Sequence, residues 1–376
     1  MSRFEELAEE FARIANDPRG QFQGFLDSGK KVVGCVPEFT PEELVHAMGM
    51  APFGMWGADA KVTRARTYFP TFYCGIVQTV LDLALMKKYE GMSAVIIPTL
   101  CDTLKALTQN WQHGVDGVPY IPMTYPQNRK PAYGQQFTKE GYERVIRDLE
   151  RCTGAEFSDE ALGKTIEVYN EHSHLMRQFS VAAASHDCVT PTIRRNVFKS
   201  AWFMLKEDHS KLVREMVQEL SAMEVETKKT RIVTSGILVD NLNLLKILEE
   251  NSMTIVGDDV VAESGQYRTD APASGPSNLD RLVAKFTNTG DVSMLLDPER
   301  HREVALVDLA KERRADGVLI VLTKFCDPEE FDLPRLRKAV KDAGLKEVTI
   351  EVDRQMDRFD QAQTALETFH DVLAYA

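Results

Sequence analysis

The feature that most limits how this chain can fold is a strand that ends on cysteine and aspartate, and it occurs twice. Ser93 to Thr103 reads Ser-Ala-Val-Ile-Ile-Pro-Thr-Leu-Cys-Asp-Thr, and Gly317 to Glu330 repeats the pattern as Gly-Val-Leu-Ile-Val-Leu-Thr-Lys-Phe-Cys-Asp-Pro-Glu-Glu. Uninterrupted apolar runs such as Val95-Ile96-Ile97 and Val318 to Leu322 are the mark of central parallel strands covered by helices on both faces. Cys101 and Cys326 then sit just past the carboxyl ends of their strands, each followed by an aspartate expected to cap a helix. In the second copy Pro328 and Glu330 complete the start signal. A helix N-terminus favours thiolate over thiol, and in doubly wound sheets this edge is where ligands bind. The working centre is therefore expected where Cys101 and Cys326 face each other across that edge.

The rest of the chain supports such sheets. Lys31 to Val36 reads as a first strand and Pro41 opens a helix behind Thr40. A long helix is expected from Pro70 to about Lys88, with Cys74 in its first turn, and a short strand at Tyr120 to Met123. From Ser158 to about Glu226 the periods are helical only. Alternation resumes with strands at Arg231 to Thr234, Met253 to Gly257, Val292 to Leu296, Gly317 to Leu322 and Val348 to Val352, with helices between them and a last one from Gln361. This predicts an α/β protein of two doubly wound parallel-sheet domains, of the Rossmann or flavodoxin kind. The first spans 1–150 and carries Cys74 and Cys101; a helical connection spans 151–228; the second spans 229–376 and carries Cys326.

Charge bounds the partners. The net charge of -12 leaves no broad basic surface for nucleic acid or an anionic membrane, although a local pocket can still take a small anion. No apolar run reaches the length of a membrane span and Met1 to Glu6 has no signal-peptide layout, so a cytoplasmic protein is expected. In that compartment six cysteines read as ligands, nucleophiles or core residues before disulfides.

Cys74, Cys101 and Cys326 share a position at a helix start or strand end, and three thiolates converging from different elements suit a soft metal centre, above all iron-sulfur. Their wide spacing matches no compact signature, so from spacing alone buried inert thiols remain an equal alternative. Cys35, also at a strand end, competes for a ligand place, while Cys152 and Cys188 are expected to be core or incidental. His172 and His174 are two apart on a helix, which suits a solvated face better than a zinc pair. Asp258 and Asp259 either face the cleft or cap a turn, and Arg194 and Arg195 read as surface. Neither Gly-x-Gly-x-x-Gly nor a P-loop occurs, which argues against NAD or ATP bound in the usual way.

A set of motifs goes further. Gly34-Cys-Val-Pro37 with Pro41-Glu-Glu-Leu-Val-His-Ala47, Trp56-Gly57, Tyr68-Phe-Pro-x-Phe-x-Cys74, Pro98-x-x-Cys101-Asp-Thr-Leu104, Gln109-Asn-Trp111 and Lys324-Phe-Cys-Asp-Pro-Glu-Glu330 together resemble the β subunit of the (R)-2-hydroxyacyl-CoA dehydratases. The resemblance implies a heterodimer with a homologous α subunit, each subunit having two α/β domains that grip a [4Fe-4S] cluster on three cysteines, here Cys74, Cys101 and Cys326. It implies an ATP-hydrolysing iron-sulfur activator that injects one electron, and a 2-hydroxyacyl-CoA substrate bound at the α subunit's cluster. Reduction of the thioester to a ketyl radical would expel the α-hydroxide and acidify the β-hydrogen, after which the electron returns. A flavin is compatible with such a subunit, although nothing in the sequence indicates one. A subunit of a benzoyl-CoA-reductase-type enzyme, consuming electrons stoichiometrically, is the alternative.

Overall fold

A computed structural model describes residues 2–37 and 39–374. Helices α1 (Arg3–Asn16) and α2 (Pro18–Asp27) come first; α1 starts on a capping box between Ser2 and Glu5 and buries Phe4, Leu7, Phe11 and Ile14 at helical spacing. The first sheet follows as β1 (Val32–Cys35), α3 (Glu42–Ala47), β2 (Ala51–Gly54), α4 (Gly75–Leu85), β3 (Ala94–Pro98), α5 (Asp102–Gly114) and β4 (Tyr120–Met123). Four helices succeed it: α6 (Ala132–Thr153), α7 (Asp159–Ala183), α8 (Pro191–Ser200) and α9 (Lys206–Ala222). The second sheet comprises β5 (Thr230–Gly236), α10 (Leu242–Glu250), β6 (Met253–Val260), α11 (Asn278–Asn288), α12 (His301–Glu312), β7 (Gly317–Thr323), α13 (Asp327–Asp342) and β8 (Lys346–Val352), closed by α14 (Asp360–Ala374).

Both sheets are parallel and share one topology, β2-β1-β3-β4 and β6-β5-β7-β8. The paired Cys-Asp motifs thus follow equivalent strands, the third of each sheet. Every residue of β1, β3, β6 and β7 is buried, as helices on both faces require. One apolar core runs beneath both sheets, joining Val95 and Ile97 of the first to Leu319 and Val321 of the second. On the other face of the first sheet, Val33 and Ile96 meet Tyr142 of α6, Leu162 of α7 and Leu282 of α11. The α7–α9 tract packs with α1 around Phe11, Phe179, Val197 and Met216.

The expected elements need correcting in places. The strand expected at Val292 to Leu296 is an irregular turn, because Asp291 (φ 56) and Met294 (φ 75) take left-handed conformations that no strand accommodates. β2 escaped notice because Pro52 and Gly54 interrupt it; it lies at a sheet edge, where proline is tolerated. Beyond these two points, α6 runs through residue 150, and α11, from the second half, packs on α6 and α7. Among the described residues, no helix is long and apolar enough to cross a membrane.

Candidate metal centre

The strand order reverses between β1 and β3, and again between β5 and β7. Crevices beyond the carboxyl ends of strands at such switch points are the usual ligand sites of open α/β sheets. Here the two switch points share one cavity. Pro37 follows β1, Cys101 follows β3, Ile237 follows β5 and Cys326 follows β7, and all four line it together with Cys74 and Trp56.

The three cysteines have one local geometry. Cys74 is the N-cap residue of α4, Cys101 of α5 and Cys326 of α13. This corrects the expectation that Asp102 and Asp327 are the caps and that Cys74 lies inside its helix. The N-cap is the position from which a serine or aspartate oxygen commonly accepts from the first-turn N–H groups, and here a cysteine holds it in all three helices. Three positive helix ends therefore converge on one cavity, an electrostatic setting that favours thiolate. Cys74 and Cys326 are buried and Cys101 is half-buried. The other walls are largely apolar, including Ile76, Val77, Leu104 and Met294. Three soft donors on three separate elements, in a largely apolar pocket beneath helix N-termini, fit an iron-sulfur cluster in donor type and surroundings.

Local strain and close packing hold this arrangement. Phe325 (φ 62) turns the chain into Cys326 through the left-handed region, uncommon for a bulky residue and often found at functional sites. Gly57 (φ 73) lies where a Cβ would meet Thr79 Oγ1 at 2.3 Å and Ile76 O at 2.8 Å, so only glycine lets the β2 loop reach the start of α4. Arg354, buried beyond the end of β8, donates to Asp59 Oδ1 at 2.9 Å, Asp240 Oδ1 at 2.7 Å and the Trp56 carbonyl at 3.0 Å. Burial alone would raise the Asp240 carboxyl, but Arg354 and Lys199 hold it well below the usual range.

The other candidates lie elsewhere. Cys35 ends β1 on the face away from the cavity; burial pushes its thiol well up and its Sγ lies 3.7 Å from the Val33 carbonyl, which makes it a core residue. Cys152 is half-buried in the last turn of α6 and Cys188 is exposed between α7 and α8. His172 is not solvated: it is buried, with Nε2 at 2.9 Å from His209 Nδ1, while His174 is exposed. Arg194 and Arg195 are buried as well, Arg194 bridging Asp258 and Glu263, and Asp259 pairs with Arg302 at 2.9 Å. Arg354 and Asp240 were missed, and no local signal marks them, because they meet only through the fold. Trp56 and Gly57 were visible as a motif without a stated role.

Fold and site together define an α/β protein with a three-thiol centre set between two sheets of identical topology. The chain matches the family model of the 2-hydroxyglutaryl-CoA dehydratase D-component over residues 37–373. It is 43% identical to an (R)-phenyllactyl-CoA dehydratase beta subunit of Clostridium sporogenes, over 99% of this chain and 100% of that one. It is 37% identical to the beta subunit of a lactoyl-CoA dehydratase of Anaerotignum propionicum over the same shares. One subunit of the benzoyl-CoA reductase of Thauera aromatica is more distant, 25% identical over 82% of each chain. The chain belongs to the 2-hydroxyglutaryl-CoA dehydratase D-component family.

Proposed function

We propose that this chain is the β subunit of an (R)-2-hydroxyacyl-CoA dehydratase, a hydro-lyase that forms the (E)-2-enoyl-CoA and water. In this reading it works in the cytoplasm with a homologous α subunit and an ATP-hydrolysing iron-sulfur activator. The observation that carries the reading is the meeting of Cys74, Cys101 and Cys326, as N-caps of three helices, at the joined switch points of the two sheets. These three residues would hold a [4Fe-4S] cluster, which when bound supplies a low-potential one-electron store. The chain's own part is to fix the three sulfurs on rigid helix starts, to surround them with apolar side chains that limit water, and to leave the acyl-CoA chemistry to the partner subunit. The full-length likeness to two dehydratase β subunits supports this over the reductase reading, whose relative is more distant.

Anaerobically purified protein is expected to carry about four irons and four sulfides per chain. Serine at Cys74, Cys101 or Cys326 should lower that content, and serine at Cys152 or Cys188 should leave it unchanged. Equal iron in all five variants would remove the ligand assignment. Electron stoichiometry separates the two enzyme readings: one activation of the heterodimer should support many turnovers, whereas fixed consumption of ATP and electrons per turnover would identify a reductase.

A further inference from the structure

A second cavity, of about 440 Å³, opens between the α1–α2 corner, the end of β2 and the residues that follow α8. It is separate from the thiol cavity, although Trp56 lines both. Its size falls within the usual range for small-molecule sites, and its composition, apolar with a few placed polar groups, is also typical of them. The floor is an unbroken series of aromatic rings. Phe22 meets Phe53 with centroids 5.6 Å apart, Phe53 meets Phe203 at 5.1 Å, Phe203 stands edge-on to Trp202 at 6.0 Å, and Trp202 stacks on Trp56 at 5.3 Å. Gly54 permits the closeness of this wall, since a Cβ there would lie 2.7 Å from Trp202 Cβ.

The polar groups of the cavity are unequal in sign. Arg19 and Lys88 stand exposed at its rim, with Arg195 and Lys199 deeper in. Asp59 is the one acid among the described lining residues, and it is already engaged by Arg354. Lys199 and Arg195 are anchored on Asp240, Lys199 by an ion pair at 2.6 Å and Arg195 through the backbone carbonyl at 3.1 Å, which leaves the rim pair to face solvent. In a chain of net charge -12, such an excess of cations around an apolar pocket selects an anion. The cavity beside α12 is different, because its Arg268 is already satisfied by Asp259 and by backbone carbonyls.

We propose that the 440 Å³ cavity binds a nucleotide, with the base on the aromatic floor and the phosphate held between Arg19 and Lys88. Stacking on aromatic faces and charge-assisted phosphate contacts need no glycine-rich loop, so the missing nucleotide motifs do not oppose the site. A free mononucleotide and the nucleotide end of a coenzyme A thioester offer the same chemistry. The second source rests on the dehydratase reading and the site itself does not.

The test uses the purified full chain, with calorimetry and quenching of tryptophan fluorescence on addition of AMP, adenosine and coenzyme A. AMP should bind saturably and adenosine about tenfold more weakly, because it lacks the phosphate. Arg19→Glu with Lys88→Glu, at exposed positions that leave the fold intact, should weaken AMP about tenfold and leave adenosine unchanged. Trp202→Leu, which keeps bulk but removes the ring from the floor, should weaken both. Competition between coenzyme A and AMP identifies the thioester's nucleotide end as a source, and AMP binding without coenzyme A binding identifies a free nucleotide. Absence of saturable AMP binding, equal affinity for AMP and adenosine, or charge reversal without effect would each overturn the proposal. None of these readouts depends on iron content or dehydratase activity, so a failure here is distinct from a failure of the cluster assignment.

Discussion

At the scale of single residues, what matters around the thiols is how little room the backbone leaves. Gly57 is the sharpest instance, combining a left-handed φ of 73° with neighbours on α4 closer than a Cβ can tolerate. Gly57→Ala is expected to cost about 2 kcal/mol or more, from left-handed strain and from pushing back the first turn of α4, the helix that Cys74 caps. Urea unfolding gives the loss of stability. Iron content per chain should fall in parallel, whereas Gly154→Ala, also at positive φ but with no atom within 4 Å of its Cβ position, should lose stability without losing iron. Equal iron loss in both would mean that the crowding at Gly57 does not bear on Cys74. The cysteines themselves were legible in the sequence because strand ends and helix starts leave local marks. Which of them cap was misjudged by one residue, since Asp is a good cap by propensity and the sequence does not show that the thiol has taken that place. Arg354 and Asp240 were not legible at all, being 114 positions apart, and no period or spacing relates them.

At the scale of elements, the apolar runs and helical periods made nearly all of both sheets readable, and the failures have local causes. β2 is a four-residue edge strand broken by proline, and the 292–296 run is apolar yet bent by left-handed residues on either side of Ser293. The helical tract was recognised as helical, but its polar interior was not, because partners for His172 and Arg194 lie on other elements. His172 of α7 and His209 of α9 are bonded ring to ring, and His209 Nε2 is 3.0 Å from Ser200 Oγ. Burial, with Lys206 adding to it, pushes His209 down to about 3, and burial also pushes His172 well below its ordinary value. The folded state therefore refuses protons that the unfolded chain accepts below about pH 6.5. Stability from this pair is full above that pH and is lost as the pH falls toward 3, by a few kcal/mol in all. His209→Gln, which keeps hydrogen-bonding groups and does not titrate, should flatten the fall in urea midpoint between pH 6.5 and 4. An unchanged slope would show that the acid sensitivity arises elsewhere.

At the scale of the whole molecule, two sheets of identical topology share an apolar core, and the thiol cavity is their seam. Apolar contact along the seam is continuous, and directional ties cross between the halves as well, among them Arg129 to the Phe286 carbonyl, the Lys285–Glu43 pair and, beside the cavity, Arg354. It leaves the end of β8 and binds Asp59 beyond β2 of the first sheet and Asp240 beyond β5 of the second, while its bond to the Trp56 carbonyl fixes a wall of the cavity. A buried pair of this kind is weak support for stability in itself, because desolvation offsets much of the attraction, yet removing one partner strands the other. Arg354→Met should cost about 3–5 kcal/mol, and adding Asp240→Asn should recover part of the loss. Because the tie crosses the seam, the single variant should also separate the melting of the two halves, turning one calorimetric transition into two, with iron lost at the first. If Arg354→Met melts in a single transition with its iron retained to the end, the shared apolar core and the ties through Arg129 and Lys285 couple the sheets, and Arg354 serves only its local hydrogen bonds.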